Sequence, residues 1–249
     1  MLASFQVSRT AVFAYGQPAT IGYRINDRSR YVRVRLAFVR EGSPGALYRF
    51  NLGRRRTNTD QTFRWRGIEG TKLATQGSYH FRITARDPEG NTLVRSSQSV
   101  SGAPLEFRSH RFPVLGDHSF GGDDARFGAR RTGHTHQGQD IIAAEGIPVV
   151  APRAGLITWR EYQAAGAGYY LVLAGENEPY NYVFMHLQRG SILVNQGDRV
   201  TTGQELGRVG NTGSSSGAHL HFEIWDGPWF NGGKAIDPLP MLQIWDSTS

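Results

Sequence analysis

His136-Gln137-Gly138-Gln139-Asp140 offers an imidazole and a carboxylate four residues apart, and both are suitable ligands for a borderline ion such as zinc. In a straight strand these positions lie about 13 Å apart, too far to share one ion. Gly138 between them permits the bend that would bring the two side chains together. Ala218-His219-Leu220-His221-Phe222-Glu223-Ile224 alternates in the manner of a strand. His219 and His221 then share one face, about 6.5–7 Å apart, with Leu220 and Phe222 on the other. One imidazole of such a pair can bind a metal while its neighbour overhangs a substrate. His186 closes the apolar run 182–187. A catalytic zinc usually takes three protein ligands and leaves a fourth position for water, so the chain has groups enough for ligation and for acid–base work. Taken singly, each pattern has an ordinary alternative: a polar pair on a loop, two exposed strand histidines, a hydrogen-bonded core histidine.

The elements that must hold these residues are strands. In 31–40, Val32, Val34, Leu36 and Phe38 alternate with Arg33, Arg35 and Ala37, the pattern of a strand with one buried face. Phe63 and Trp65 repeat it against Arg64 and Arg66. Tyr79, Phe81, Ile83 and Ala85 do so again against His80, Arg82, Thr84 and Arg86. Turn signals such as 87–91 (DPEGN) join the runs, and six or seven short strands in about 100 residues suggest a β-sandwich. The stretch GSYHFRITARDPEGN resembles the late strands of immunoglobulin-like and fibronectin-like domains, with Gly77-x-Tyr79 as a candidate tyrosine corner. Arg54-Arg55-Arg56 reads as a solvated loop. Residues 97–112 turn to Ser, Gly and Pro and read as a linker. Beyond them come further short β-rich runs without helical periodicity, and six of the eight histidines fall between 118 and 221. With 31 Gly and 11 Pro, long helices are not expected.

Charge divides the chain. Residues 1–105 hold 17 Lys+Arg against 6 Asp+Glu, a net +11, whereas 106–249 hold 11 against 15, a net −4. The basic half suits an anionic polymer, although arginines turned outward for solubility explain it equally well. Cys is absent, which excludes a disulfide framework, a thiolate-held metal and a Cys nucleophile. No apolar run approaches the roughly 20 residues of a membrane-spanning helix. Residues 1–17 do not read as a signal peptide. Residues 210–217 (GNTGSSSG) form a loop by composition. It lacks the following Lys and helix of a phosphate-binding loop, and it could instead accept an extended peptide.

In order and spacing, FPVLGDHSFGG, RFGARR, HTHQGQDIIAAEGIPVVAP, NYVFMHL, VNQGDRVTTGQELGRVGNTGSSSGAHLHFEIW and AIDPLPML closely resemble the lysostaphin/LytM-type zinc endopeptidases of bacterial cell walls, over roughly residues 111–240. With the strand pattern of the first half, this gives a mainly β protein: an N-terminal immunoglobulin-like β-sandwich expected at 1–105 from its alternating strands, then, as the resemblance implies, a β-rich LytM-type (duplicated hybrid motif) peptidase domain at 106–249. The resemblance also implies one zinc ion held by His136, Asp140 and His221, with His186 and His219 as catalytic histidines. The usual Tyr two positions before His186 is Phe184 here, and the Pro often found before the last pair is Ala218. The implied reaction is hydrolysis of a peptide bond in the stem peptide or cross-bridge of peptidoglycan, with histidine rather than the glutamate of a His-Glu-x-x-His motif as base. The implied setting is outside the cytoplasm (periplasm, cell wall or secreted), with a signal peptide absent from this chain. A non-catalytic wall-binding or hydrolase-activating module is the alternative. Expected partners are peptidoglycan peptides and, through the basic half, anionic wall polymer; nucleic acid is not among them. His134 is expected at the rim, His118 in a loop near the groove, Asp123 and Asp124 in solvent, and Tyr169, Tyr170 and Tyr182 lining the groove or packed away from it.

Overall fold

The computed structural model of the chain describes residues 1–8, 11–43, 45–69, 72–96, 104–131 and 133–247. Strands dominate, and they fall into two compact units, Met1–Ser109 and His110–Ser249.

Unit 1 contains β1 (Leu2–Val7), β2 (Ala11–Phe13), β3 (Ala19–Ile25), β4 (Tyr31–Arg40), β5 (Ala46–Arg56), β6 (Asp60–Trp65), the short β7 (Ile68–Glu69) and β8 (Lys72–Leu73), β9 (Gly77–Arg86), β10 (Thr92–Ser96) and β11 (Leu105–Arg108). A three-stranded sheet β1-β3-β6 and a sheet β2-β11-β9-β4-β5, with β10 on β9, enclose one core between them. Alternation decides which face is which: Val32, Val34, Leu36 and Phe38 are at most 3% exposed while Arg33 and Arg35 face outward. Phe38 sits at the centre, its ring 4.4 Å from Trp65 of the opposite sheet and 4.6 Å from Phe81. The Tyr79 hydroxyl donates to the Thr75 carbonyl, the upstream backbone bond of a tyrosine corner.

Three expectations change here. Arg54, Arg55 and Arg56 end strand β5 rather than forming a loop. Part of the expected linker, 97–103, lies outside the described residues. Its remainder is structured: Leu105 and Phe107 of β11 are buried in the first core, and Phe112 is buried in the second. The first unit therefore runs four residues past the expected boundary at 105/106, because β11 pairs with both β2 and β9. A four-residue strand is too short for its alternation to stand out from Ser/Gly/Pro-rich surroundings.

Unit 2 contains β12 (His118–Ser119), β13 (Arg130–Arg131), β14 (His134–Thr135), β15 (Gln139–Ala143), β16 (Pro148–Val150), β17 (Gly155–Gln163), β18 (Gly168–Gly175), β19 (Tyr180–Leu187), β20 (Arg199–Val200), β21 (Glu205–Arg208), β22 (His219–Asp226), β23 (Lys234–Ile236) and a helix α1 (Leu239–Asp246). The main sheet runs β12-β15-β22-β19-β18-β17-β20. One face closes the larger core through Ile141, Leu171, Leu173, Tyr182, Phe184, Leu220, Phe222 and Ile224. The other carries a small apolar patch of Val172, Val183 and Trp225 and, beside it, the histidines. Helix α1 spans only eight residues, about two turns, so a 3.6-residue period had no length in which to show. Leu242 and Trp245, three apart on one side of it, are its buried residues.

Candidate metal centre

Antiparallel pairing sets Asp140 of β15 directly opposite His221 of β22, and Ile142 opposite His219. Directly opposed residues share a face, so the register places the carboxylate beside the His pair. His136 comes in from the turn before β15, its backbone anchored to the Ala129 carbonyl at 2.8 Å. Gly138 is what lets the turn approach. A Cβ there would lie 2.5 Å from the Phe222 carbonyl oxygen and 2.9 Å from His221 Nε2. The requirement for Gly is thus room against β22 rather than an unusual backbone angle.

The outcome is a triangle of ligand atoms. His136 Nε2 lies 3.0 Å from Asp140 Oδ1 and 2.9 Å from His221 Nδ1, and His221 Nδ1 lies 2.9 Å from Asp140 Oδ1. The opposite nitrogens are already committed. His136 Nδ1 donates to the Arg126 carbonyl at 2.8 Å, and His221 Nε2 donates to Glu223 Oε1 at 3.0 Å. In their neutral forms both imidazoles therefore aim a lone pair at the same point as Asp140 Oδ1. Three acceptors face one another across about 3 Å with no donor among them, and this is stable only with a cation, or a proton, at the centre. Two nitrogens and a carboxylate oxygen without sulfur suit zinc or a similar divalent ion. The chain's own residues fit that group.

Electrostatics agree with the geometry. Burial alone would raise the Asp140 carboxyl, but hydrogen bonds and charge from His136 and His221 hold it well below the usual carboxylate range. Burial pushes His221 down, while Asp140 and Glu223 outweigh it and lift the ring to about 9. When no metal is present, a proton on His221 is the cation that satisfies the cluster.

His186 and His219 border the triangle without joining it. His219 Nδ1 donates to the Gly217 carbonyl at 2.8 Å, and its Nε2 lies 3.6 Å from Asp140 Oδ1. His186 Nδ1 donates to the Thr212 carbonyl at 2.8 Å, and its ring centre is 4.8 Å from that of His219. Burial, with His219 and His221 nearby, lowers His186 to about 4 against the opposing pull of Thr212 and Asp140. Simple alternation along β19 would turn His186 into the core with Tyr182 and Phe184. The pairing with β18 instead shifts register between Leu171↔Phe184 and Tyr169↔Leu187, and His186 adopts φ 62°. That bulge turns the imidazole to the site face and returns Leu187 to the core. A non-glycine residue in this region costs about 1–3 kcal/mol and is kept where its surroundings enforce it.

Loop 210–217 orients the two histidines through its Thr212 and Gly217 carbonyls. Arg131 and Glu223 went unread in the sequence. Arg131 donates to Asp140 Oδ2 at 3.1 Å and leaves Oδ1 for the triangle, while Glu223 sets the His221 tautomer and accepts from Trp225 Nε1 at 2.7 Å. Alternation could have flagged Glu223, two residues beyond His221 on the same face. Arg131 carries no such signal. His134 is exposed on β14, opposite Arg131. His118 lies on strand β12 rather than in a loop near the groove; its ring stacks on core Phe112 at 4.3 Å and pairs with Asp246 at 3.3 Å. Asp123 and Asp124 are exposed. Tyr182 is buried and donates to Glu178 Oε1 at 2.6 Å, whereas Tyr170, with Trp159, Tyr162, Met185 and Trp229, lines a groove. Ala167, also in that lining, accepts the His186 backbone N–H at 2.8 Å. Phe184 packs against Phe222 in the core, ring centres 5.4 Å apart.

A sheet face bearing a His/Asp/His triangle and two further histidines defines a candidate metallohydrolase. Residues 134–238 match the model of peptidase family M23, and the chain carries a domain of that metallopeptidase family. It is 40% identical over 104 residues to an uncharacterized metalloprotease of Haemophilus influenzae, covering 42% of this chain and 20% of that protein. It is 36% identical over 167 residues to the peptidoglycan DD-endopeptidase ShyC of Vibrio cholerae, covering 63% and 34%. The catalytic domain of lysostaphin from Staphylococcus simulans is 30% identical over 51% of this chain and 99% of that one, with a TM-score of 0.44. The chain thus spans 20% and 34% of the length of these two curated relatives.

Proposed function

We propose that the chain is a zinc-dependent endopeptidase that hydrolyses peptide bonds in the stem peptide or cross-bridge of bacterial peptidoglycan, and that it acts outside the cytoplasm. The observation that carries this reading is the meeting of three ligand atoms, two imidazole nitrogens and a carboxylate oxygen, within 3.0 Å of one another beside two oriented histidines. The similarity to a peptidoglycan DD-endopeptidase supports the substrate class.

His136, Asp140 and His221 are the metal ligands in this reading. When bound, zinc supplies a water acidified toward a pKa of about 7 and a Lewis acid for the scissile carbonyl. His186 and His219 do the proton work. Each has Nδ1–H tied to a carbonyl, so each presents Nε2 as a proton acceptor; once protonated, that same atom is a donor to a developing oxyanion or to the leaving amine. His186, at about 4, is neutral at physiological pH and ready for the first role. Arg131 and Glu223 hold Asp140 and His221 in place. The groove of Tyr170, Trp159 and Trp229 gives a substrate chain apolar surface. Unit 1 is an immunoglobulin-like domain in this reading, supported by its two-sheet core and the Tyr79–Thr75 bond, and its basic charge serves contact with acidic wall polymer.

A non-catalytic module that activates other hydrolases would have no use for all five histidine and aspartate positions, so catalysis is the better reading. The test is metal analysis together with release of peptide fragments from purified peptidoglycan. The wild type should carry one zinc per chain and release fragments. His186→Ala should keep the zinc and lose about 10²–10⁴-fold in rate. Full zinc with no release by the wild type would favour the activating module; absence of zinc would overturn both ligation and mechanism.

A further inference from the structure

On the exposed face of the larger sheet in unit 1, strands β4, β5, β9 and β10 carry a field of arginine; the carboxylate of β11 on that sheet, Glu106, is paired with Arg108 at 2.7 Å and accepts from the Ser78 hydroxyl. Strands β4, β5, β9 and β10 contain no Asp or Glu at any position. Arg33 of β4 stands opposite Arg86 of β9 on one side and Arg54 of β5 on the other. Ala37 stands likewise between Arg82 and Arg49, and Arg35 lies between these two rows. Directly opposed residues of antiparallel strands have Cβ atoms about 4.5–5.5 Å apart, so Arg54, Arg33 and Arg86 form a line across three strands. All six arginines are exposed, and among the described residues none of them is ion-paired. Asp87, in the turn that follows β9, is held by the backbone N–H and side-chain amide of Asn91 at 2.8 and 2.7 Å.

Like charges directly opposite one another destabilise a sheet. Solubility alone is met as well by Ser, Thr, Gln or mixed charge. A line of opposed arginines is therefore an arrangement whose cost is offset when anions lie across it. Guanidinium is the cation whose planar fork matches a carboxylate or a phosphate. The one tyrosine on this face, Tyr31, is covered by Arg54 and Arg30, whose guanidinium carbons lie 4.7 and 5.4 Å from its ring centre. The face thus lacks the open aromatic platforms on which nucleic-acid bases stack.

We infer that this face binds an extended polymer bearing carboxylate groups, namely the acidic peptides of the peptidoglycan whose cleavage is proposed above, on which reading the identity of the occupant rests. Many weak charge contacts to one polymer keep it at high effective concentration around the rest of the chain. Their sum falls with salt because each contact is exposed.

The test is sedimentation of the full chain with purified peptidoglycan, native or with its carboxyl groups amidated, using wild type and the triple variant Arg33→Gln, Arg54→Gln, Arg86→Gln. Wild-type binding should weaken at least about tenfold between low and high salt. The triple variant and amidation should each lower binding by a similar factor, while cleavage of a short soluble peptide stays at the wild-type rate. The corresponding Lys triple should keep salt-dependent binding, which separates loss of charge from loss of fold. Equal retention of the Gln triple, or of amidated peptidoglycan, would overturn the inference. So would a phosphate polymer of equal charge displacing the protein more readily than polyglutamate. Fragment release in the same tubes reports on the catalytic reading separately: retention that depends on the arginines without release leaves the binding face standing and removes the peptidase.

Discussion

The two large sheets use their outward faces in opposite ways. On the sheet of unit 2, acids and bases converge until atoms of three side chains lie 2.9–3.0 Å apart, each oriented by a further buried or half-buried partner. On the sheet of unit 1, charges of one sign are spread across neighbouring strands and left open to water. Both patterns arise from the same rule, that antiparallel register sets residues side by side. The difference lies in what the second layer does. Glu223, Arg131 and the carbonyls of Arg126, Thr212 and Gly217 lock the first set, whereas the second has, among the described residues, no ion pair to lock it and only the stacking of Arg54 on Tyr31. A locked cluster acts at short range on one ion. An unlocked field acts weakly over many contacts.

That contrast can be broken most directly at Asp140. Asp140→Ala removes one vertex of the triangle and should lower zinc affinity on the order of 10³-fold or more, read by competition with a chelator. Retention of wild-type affinity would remove Asp140 from the ligand set.

Acidity gives the next largest effect. His221 has its folded value raised from 6.5 to about 9. The stability it lends to the metal-free chain is therefore complete below about 6.5 and lost as pH rises through 9. On the proposed ligation, zinc and that proton would compete for the same cluster, so zinc affinity should rise by up to about tenfold per pH unit across this window, with about one proton released per ion bound. Calorimetry in buffers of different ionisation enthalpy counts the proton. His186 should contribute nothing to that release, since burial already keeps it neutral above about 4.

Glu223→Gln tests the locking layer. It should reduce zinc affinity about 10–100-fold while the ligands stay in place. Gly138→Ala drives a Cβ to 2.5 Å from the Phe222 carbonyl, and should destabilise unit 2 by about 1–3 kcal/mol in denaturant unfolding. The smallest effect belongs to the other face. A single Arg33→Gln should change unfolding free energy by less than about 0.5 kcal/mol, with any gain confined to low salt where repulsion is greatest. A loss of several kcal/mol there would mean that the arginine field is locked after all.

Residue types and period-2 alternation were enough to determine which strands have a buried face and that His219 and His221 point the same way, because these follow from chemistry and from neighbours along the chain; grouping His136, Asp140, His186, His219 and His221 as one candidate site came from the resemblance of the ordered motifs to a known family. Only the tertiary structure decided the rest. That Asp140 stands opposite His221 is a matter of pairing between strands some 80 residues apart. That His186 faces the site depends on a bulge and a φ of 62° that alternation argues against. Gly138 read as a bend and is needed as empty space, a fact visible only once Phe222 lies behind it. Arg131 and the orienting carbonyls left no local trace, since a contact across the fold imposes no period on the sequence that makes it.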